Sequence, residues 1–124
     1  MNIIKELTLV FIGGGIGCSI RFIIGKINPE NSYGFPWGTF IANLLGCLLL
    51  GFFMSWAIKN YRSEWLIFLT TGICGGLTTF STFSHESLFM IKNGNWIMFC
   101  TYSISSLIFG LLMIKLGYDI ININ

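Results

Sequence analysis

The residues best suited to chemistry in this sequence are neutral. The run from Gly72 to Ser84 reads GICGGLTTFSTFS. Its glycines give way to five hydroxyl side chains within seven positions: Thr78, Thr79, Ser81, Thr82 and Ser84. Phe80 and Phe83 are three apart, so on a helix they share a face, and Ser81 and Ser84 share a neighbouring one. Thr101, Tyr102, Ser103, Ser105 and Ser106 form a second uncharged hydroxyl cluster, and Asn43 is an amide inside an apolar stretch. A buried amide needs hydrogen-bond partners. Hydroxyls and an amide replace the water around a small, strongly hydrated anion, and aromatic edges carry partial positive charge. The plainer reading is that Phe80 and Phe83, two of twelve phenylalanines, face lipid or pack in a core. No nucleophile–base or metal-ligand spacing appears, so an enzyme is not expected. The cysteines Cys18, Cys47, Cys74 and Cys100 all fall in apolar stretches and read as small hydrophobes.

These side chains need elements that hold them at depth, and the charges show where those elements lie. Only 10% of residues are charged and 54% are hydrophobic, whereas a soluble domain carries about a quarter charged residues. The mean hydropathy of +0.77 agrees. Leu7–Ile20, Gly34–Ile58, Trp65–Ser84 and Asn93–Ile114 are free of charge. Roughly 20 helical residues cross a bilayer core. The sequence therefore predicts an all-α membrane protein, one domain over the whole chain, with transmembrane helices at about 4–26, 37–58, 65–90 and 95–116. Arg21 lies near the end of the first, where it either snorkels to the headgroups or raises the local anion concentration at a pore mouth. Trp37, Trp65 and Trp96 open the other three as interfacial anchors. The first loop, Lys26 to Pro36, holds both prolines. The first stretch lacks the cleavage site of a signal peptide and reads as a retained helix.

An even number of helices puts both termini on one side, with Lys5, Lys59, Arg62 and Lys115. The other side has Arg21, Lys26 and Lys92. So small a bias barely orients a chain under the positive-inside rule. Either the chain inserts both ways up, or one or two charges suffice. Small residues four apart (Gly13 and Gly17, Ala42 and Gly46, Gly72 and Gly76, Ser106 and Gly110) permit close helix packing in lipid. Four such helices bury little alone, so a homo-oligomer is expected.

The third helix breaks this pattern. Glycine in a helix interior costs about 1 kcal/mol against alanine, which places a break in helix 3 near residues 75–79. Unwound backbone is tolerated in a bilayer only inside protein or along a cavity. Its freed carbonyls suit a cation, and a helix N-terminus suits an anion. Alternatively the helix is continuous and its Ser and Thr side chains bond back to their own carbonyls. Glu86 either orders the end of this helix or sits in a vestibule.

Gly75-Gly-Leu-Thr-Thr-Phe-Ser-Thr-Phe-Ser84 with Glu86 resembles the signature of the Fluc (CrcB) fluoride channels. Gly13-Gly-Gly-Ile-Gly-Cys-Ser-Ile-Arg21 resembles their first-helix motif, and Trp37-Gly-Thr-Phe-Ile-Ala-Asn43-Leu-Leu-Gly46 their second. The likeness spans nearly the whole chain. It implies an antiparallel, dual-topology homodimer with two fluoride pores, in the bacterial plasma membrane. Unequal pairs that work only as heterodimers with a paralogue also occur in the family. The resemblance makes Phe80 and Phe83 the pore phenylalanines and Asn43 the pore asparagine. Ser81, Thr82, Ser84 and Ser106 become a polar track, bordered by Tyr102, and Arg21 and Glu86 lie at the vestibules. A structural Na+ at the dimer centre would be held by the main-chain carbonyls of Gly75 and Thr78. Cys18 stands where the family often has alanine.

The function so implied is a passive, fluoride-selective channel that exports cytoplasmic fluoride and lowers its toxicity. The partners are fluoride, the lipid bilayer and a second copy, with no nucleic acid. A proton-coupled small exporter would need a glutamate deep in the first helix, where this chain has Arg21. A non-conducting membrane anchor would have no use for the Gly-Thr-Phe-Ser run.

Overall fold

A computed structural model describes residues 2–27, 34–60 and 63–122. Pro29 and Glu30 of the first loop and Arg62 of the second lie outside the described residues. Ile3–Gly25, Trp37–Asn60, Ser63–Lys92 and Trp96–Asn122 are each helical, long and apolar enough to cross a membrane. Large apolar side chains point outward along them: Phe11 is 82% exposed and Ile97 83%. Water would not tolerate so apolar a surface on a protein of this size, but lipid does. The protein is an all-helical, multi-pass membrane protein.

Helix α1 is Ile3–Gly25, started by the Asn2 side chain, which accepts the Ile4 N–H at 3.1 Å. Helix α2 is Trp37–Asn60. Helix α3 covers residues 63–77, α4 is Phe80–Lys92 and α5 is Trp96–Asn122. The fourth span runs past Leu116, the end expected from hydropathy. Two contacts carry it on: Lys115 pairs with Asp119 one turn later, and Lys59 Nζ donates to the Ile121 carbonyl at 2.6 Å. A cation on a C-terminal carbonyl suits the helix dipole.

The helices pack as two parallel pairs. In the first, α1 lies against α3 with backbone touching backbone. A Cβ added to Gly72 would come 2.9 Å from Gly13 Cα, and one on Gly17 would overlap the Ile73 carbonyl. In the second, α2 lies against α5. Added Cβ atoms on Gly51 and Gly117 would overlap the carbonyls of Ile114 and Leu48. The Gly13/Gly17 and Gly72/Gly76 pairs thus form the first seam as their spacing suggests. The second seam uses Gly51, with Ser55 four residues on, and Gly117, which has no small residue four away. The Lys5–Glu64 ion pair joins the starts of α1 and α3.

Helix α3 is not regular. Ile67–Cys74 winds as a π-helix, and the Gly75 N–H reaches back five residues to the Thr70 carbonyl. Gly75–Leu77 is a closing α-turn. Thr78 (φ −85°, ψ 152°) and Thr79 (φ −148°, ψ 119°) are extended, and α4 begins at Phe80. The extended residues are therefore the two threonines, while Gly75 and Gly76 stay helical. Gly76 is needed for approach rather than for unwinding: a Cβ there would sit 2.5 Å from the Gly14 carbonyl and 3.0 Å from the Cys18 nitrogen. β-Branched threonine accepts extended backbone readily.

Candidate functional site

The extended residues expose backbone polar groups at membrane depth, and such groups need partners. Asn43, about two turns into α2, supplies two. Its Oδ1 accepts the Thr79 N–H at 2.7 Å, and its Nδ2 donates to the Thr79 carbonyl at 3.3 Å. One amide thus takes up the Thr79 N–H, diverted from its helical acceptor, and adds a bond to the Thr79 carbonyl. The amide has a second N–H, which no bond within the described residues takes.

Thr79 then starts α4. Its Oγ1 accepts the Thr82 N–H at 3.3 Å, donates to Thr82 Oγ1 at 3.1 Å and lies 3.3 Å from Ser81 Oγ. This is an N-cap by a preferred residue. Thr78 bends the other way, its Oγ1 donating to the Cys74 carbonyl at 3.0 Å. These bonds also release carbonyls. In a continuous helix the Thr79 N–H would serve the Gly75 carbonyl, and the Thr82 N–H would serve the Thr78 carbonyl. Both donors are engaged elsewhere.

A cleft of about 450 Å³ opens beside this junction. Asn43, Gly75, Thr78, Phe80, Phe83 and Ser106 all line it, and none of its lining residues is charged. The Phe80 and Phe83 rings lie 6.0 Å apart at 33°. Phe80 is 80% exposed, so nothing among the described residues covers it. Six residues expected from the sequence therefore converge here.

The others stand elsewhere. Ser81 is exposed at the head of α4, and Ser84, half-buried, lines neither this cleft nor its neighbour. Thr82 lines the neighbouring cleft of about 270 Å³, with Arg21, Lys26, Thr39 and Thr79. Arg21 is engaged within the chain. Its Nε donates to the Gly76 carbonyl at 3.0 Å, and a second guanidinium nitrogen lies 3.4 Å from Cys18 Sγ. A guanidinium on the carbonyl of the last turn of α3 again suits a helix C-terminus.

Tyr102, fully buried, stands behind Phe83 with ring centroids 4.9 Å apart. Its hydroxyl donates to Glu86 Oε2 at 2.7 Å, and Thr39 Oγ1 donates to Glu86 Oε1 at 2.7 Å. Glu86 is thus tied by both oxygens to α2 and α5.

Sequence reasoning passed over Thr39 and placed Thr79 and Ser103 only within the two hydroxyl clusters, giving neither a role of its own. Thr39 is one helical turn before Asn43, so spacing alone puts it on that face. Thr79 sits inside the hydroxyl run and was hidden by its neighbours. Ser103 lines the cleft, and its buried hydroxyl has no partner among the described residues.

Residues 8–118 match the family model described as CrcB-like protein, Camphor Resistance (CrcB). The chain is also similar to proteins named fluoride-specific ion channel FluC. The one from Phocaeicola vulgatus is 44% identical over 115 residues, covering 91% of this chain and 95% of the relative. That from Bacteroides fragilis is 42% identical over 118 residues (91% and 93%). That from Clostridium perfringens strain 13 is 43% identical over 118 residues (93% and 92%).

Proposed function

This chain belongs to the CrcB-like family, and from that premise we propose that it is a fluoride-selective channel, passing fluoride out of the cell down its electrochemical gradient. The observation that carries the reading is the Asn43–Thr79 clamp set beside Phe80 and Phe83 in an uncharged cleft. Fluoride only accepts hydrogen bonds. The uncommitted Asn43 N–H and the hydroxyls of the cleft are donors, and the ring edges of Phe80 and Phe83 add partial positive charge. A fixed cation at this point would hold the ion too tightly for it to leave. Hydrogen fluoride enters a cell as a neutral acid and ionises inside. A negative interior then drives the anion out by about 2.3 kcal/mol per charge per 100 mV. No coupling chemistry is required.

The functional unit is an antiparallel homodimer with two pores, in the bacterial plasma membrane. The uncovered Phe80 ring supports a partner at that face, and the small charge bias supports insertion both ways up. A structural Na+ fits the released carbonyls of Gly75 and Thr78, which are hard oxygen donors without helical partners. Two oxygens enclose a cation poorly, so the matching pair would come from the second copy. The ion would join the two interruptions and would not be transported.

The test is fluoride efflux from liposomes holding the purified protein, with chloride efflux as control and Phe80→Ile beside the wild type. Rapid fluoride loss without chloride loss, abolished by Phe80→Ile, is the expected result. A well-folded dimer that releases no fluoride would overturn the homodimeric channel.

A further inference from the structure

Two of the four cysteines share the cleft. Cys47 on α2 and Cys74 at the end of the π-helix both line it, with Asn43, Phe80 and Phe83. Cys18 and Cys100 are exposed and line no part of it. The two helices meet closely here. A Cβ added to Gly46 would lie 3.7 Å from the Cys74 carbonyl and would overlap the Thr78 methyl. Gly46 therefore brings its neighbour Cys47 up to Cys74. Both thiols are free, and Cys74 is only 2% exposed. Neither Sγ has a hydrogen-bond partner among the described residues.

We propose that Cys47 and Cys74 form a paired-thiol site for a soft, two-coordinate metal ion, and that filling it blocks the cleft. Soft sulfur ligands select such ions, whereas carboxylates and carbonyls suit hard ones, and no carboxylate lines this cleft. The metal-binding form is the thiolate, so binding releases protons. With mercuric chloride, two S–H bonds break and two S–Hg bonds form. Two protons and two chlorides leave, and no electron is transferred. Mercuric chloride is neutral, so an uncharged cleft presents no electrostatic barrier to it. Once bound, the metal lies among the side chains that line the proposed fluoride path, so the conduction effect rests on that reading while the metal site does not.

The experiment uses the full chain in liposomes with Cys18→Ala and Cys100→Ala, leaving only the pair. After mercuric chloride, denaturing mass spectrometry should find one mercury per chain and no thiol left for maleimide. Fluoride efflux should stop and return with dithiothreitol. Adding Cys47→Ala or Cys74→Ala should remove that sensitivity, each variant being scored against its own untreated rate. Two mercury ions per chain, a remaining free thiol or a mercury-linked pair of chains would overturn the site. Unaltered efflux from a fully mercurated chain would overturn the block. A chain that conducts no fluoride before treatment sinks the channel reading, and the mass readout still decides the thiol pair.

Discussion

The side-chain amide of Asn43 holds both backbone polar groups of Thr79, accepting its N–H at 2.7 Å and donating to its carbonyl at 3.3 Å. The interruption between α3 and α4 is therefore supported from α2. Asn43→Leu keeps the branched outline, leaves the Thr79 N–H unpaired and removes the bond to its carbonyl. A buried unpaired group costs about 1–3 kcal/mol, so the folded dimer should melt markedly lower in detergent and fluoride efflux should be lost. Asn43→Asp keeps an acceptor for the N–H and removes the donor. It should melt between the two, and its added negative charge should still prevent fluoride passage. Thermal melts beside liposome efflux separate these outcomes.

Thr79 also caps α4 with its hydroxyl. Thr79→Ala should cost about 1 kcal/mol as a lost N-cap, whereas Thr79→Ser should cost little. Thr79→Val keeps the branched shape and the extended preference but loses the hydroxyl, so it should resemble alanine. If valine instead matched wild type in thermal stability, backbone preference rather than the cap would be holding this position.

Glu86 receives Thr39 and Tyr102 on separate oxygens. Bonds to an ionised acceptor are worth about 1.5–3 kcal/mol each. Tyr102→Phe and Thr39→Val should each destabilise the protein. In a double-mutant cycle each should couple to Glu86→Gln, because glutamine keeps an acceptor for only one of the two donors. Additive losses would mean that these bonds carry no net energy.

The helix seams predict which glycines tolerate a methyl group. Gly17→Ala and Gly117→Ala meet backbone carbonyls that cannot step aside, at a cost typical of overpacking, about 1–3 kcal/mol. Gly14 and Gly15 have nothing within 4 Å of an added Cβ. Alanine there should be neutral or stabilising by up to about 1 kcal/mol, the helix-propensity difference. Thermal melts of the four variants decide it.

The four spans were legible because membrane hydropathy is a strong, local signal: no charge interrupts Gly34–Ile58 or Asn93–Ile114. The convergence of Asn43, Phe80, Phe83 and Ser106 was legible through a family resemblance, which carries spatial information that spacing does not. What escaped was what depends on contacts between distant segments. Nothing local reports that Arg21 will meet the Gly76 carbonyl, or that Glu86 will be shared by α2 and α5. The glycines illustrate the same limit. Gly76 read as a helix breaker because propensity is measured on isolated helices, yet in place it is a contact surface for α1.

The π-helical turns of Ile67–Cys74 make α3 a length buffer. Each such turn carries one residue more than an α-turn, so the segment holds slack that an insertion or deletion can draw on. A residue lost before Cys74 can be absorbed by tightening these turns, with Thr78 and Thr79 still seated on Asn43. The upstream end of the span can thereby change length by a residue while the interruption keeps its alignment.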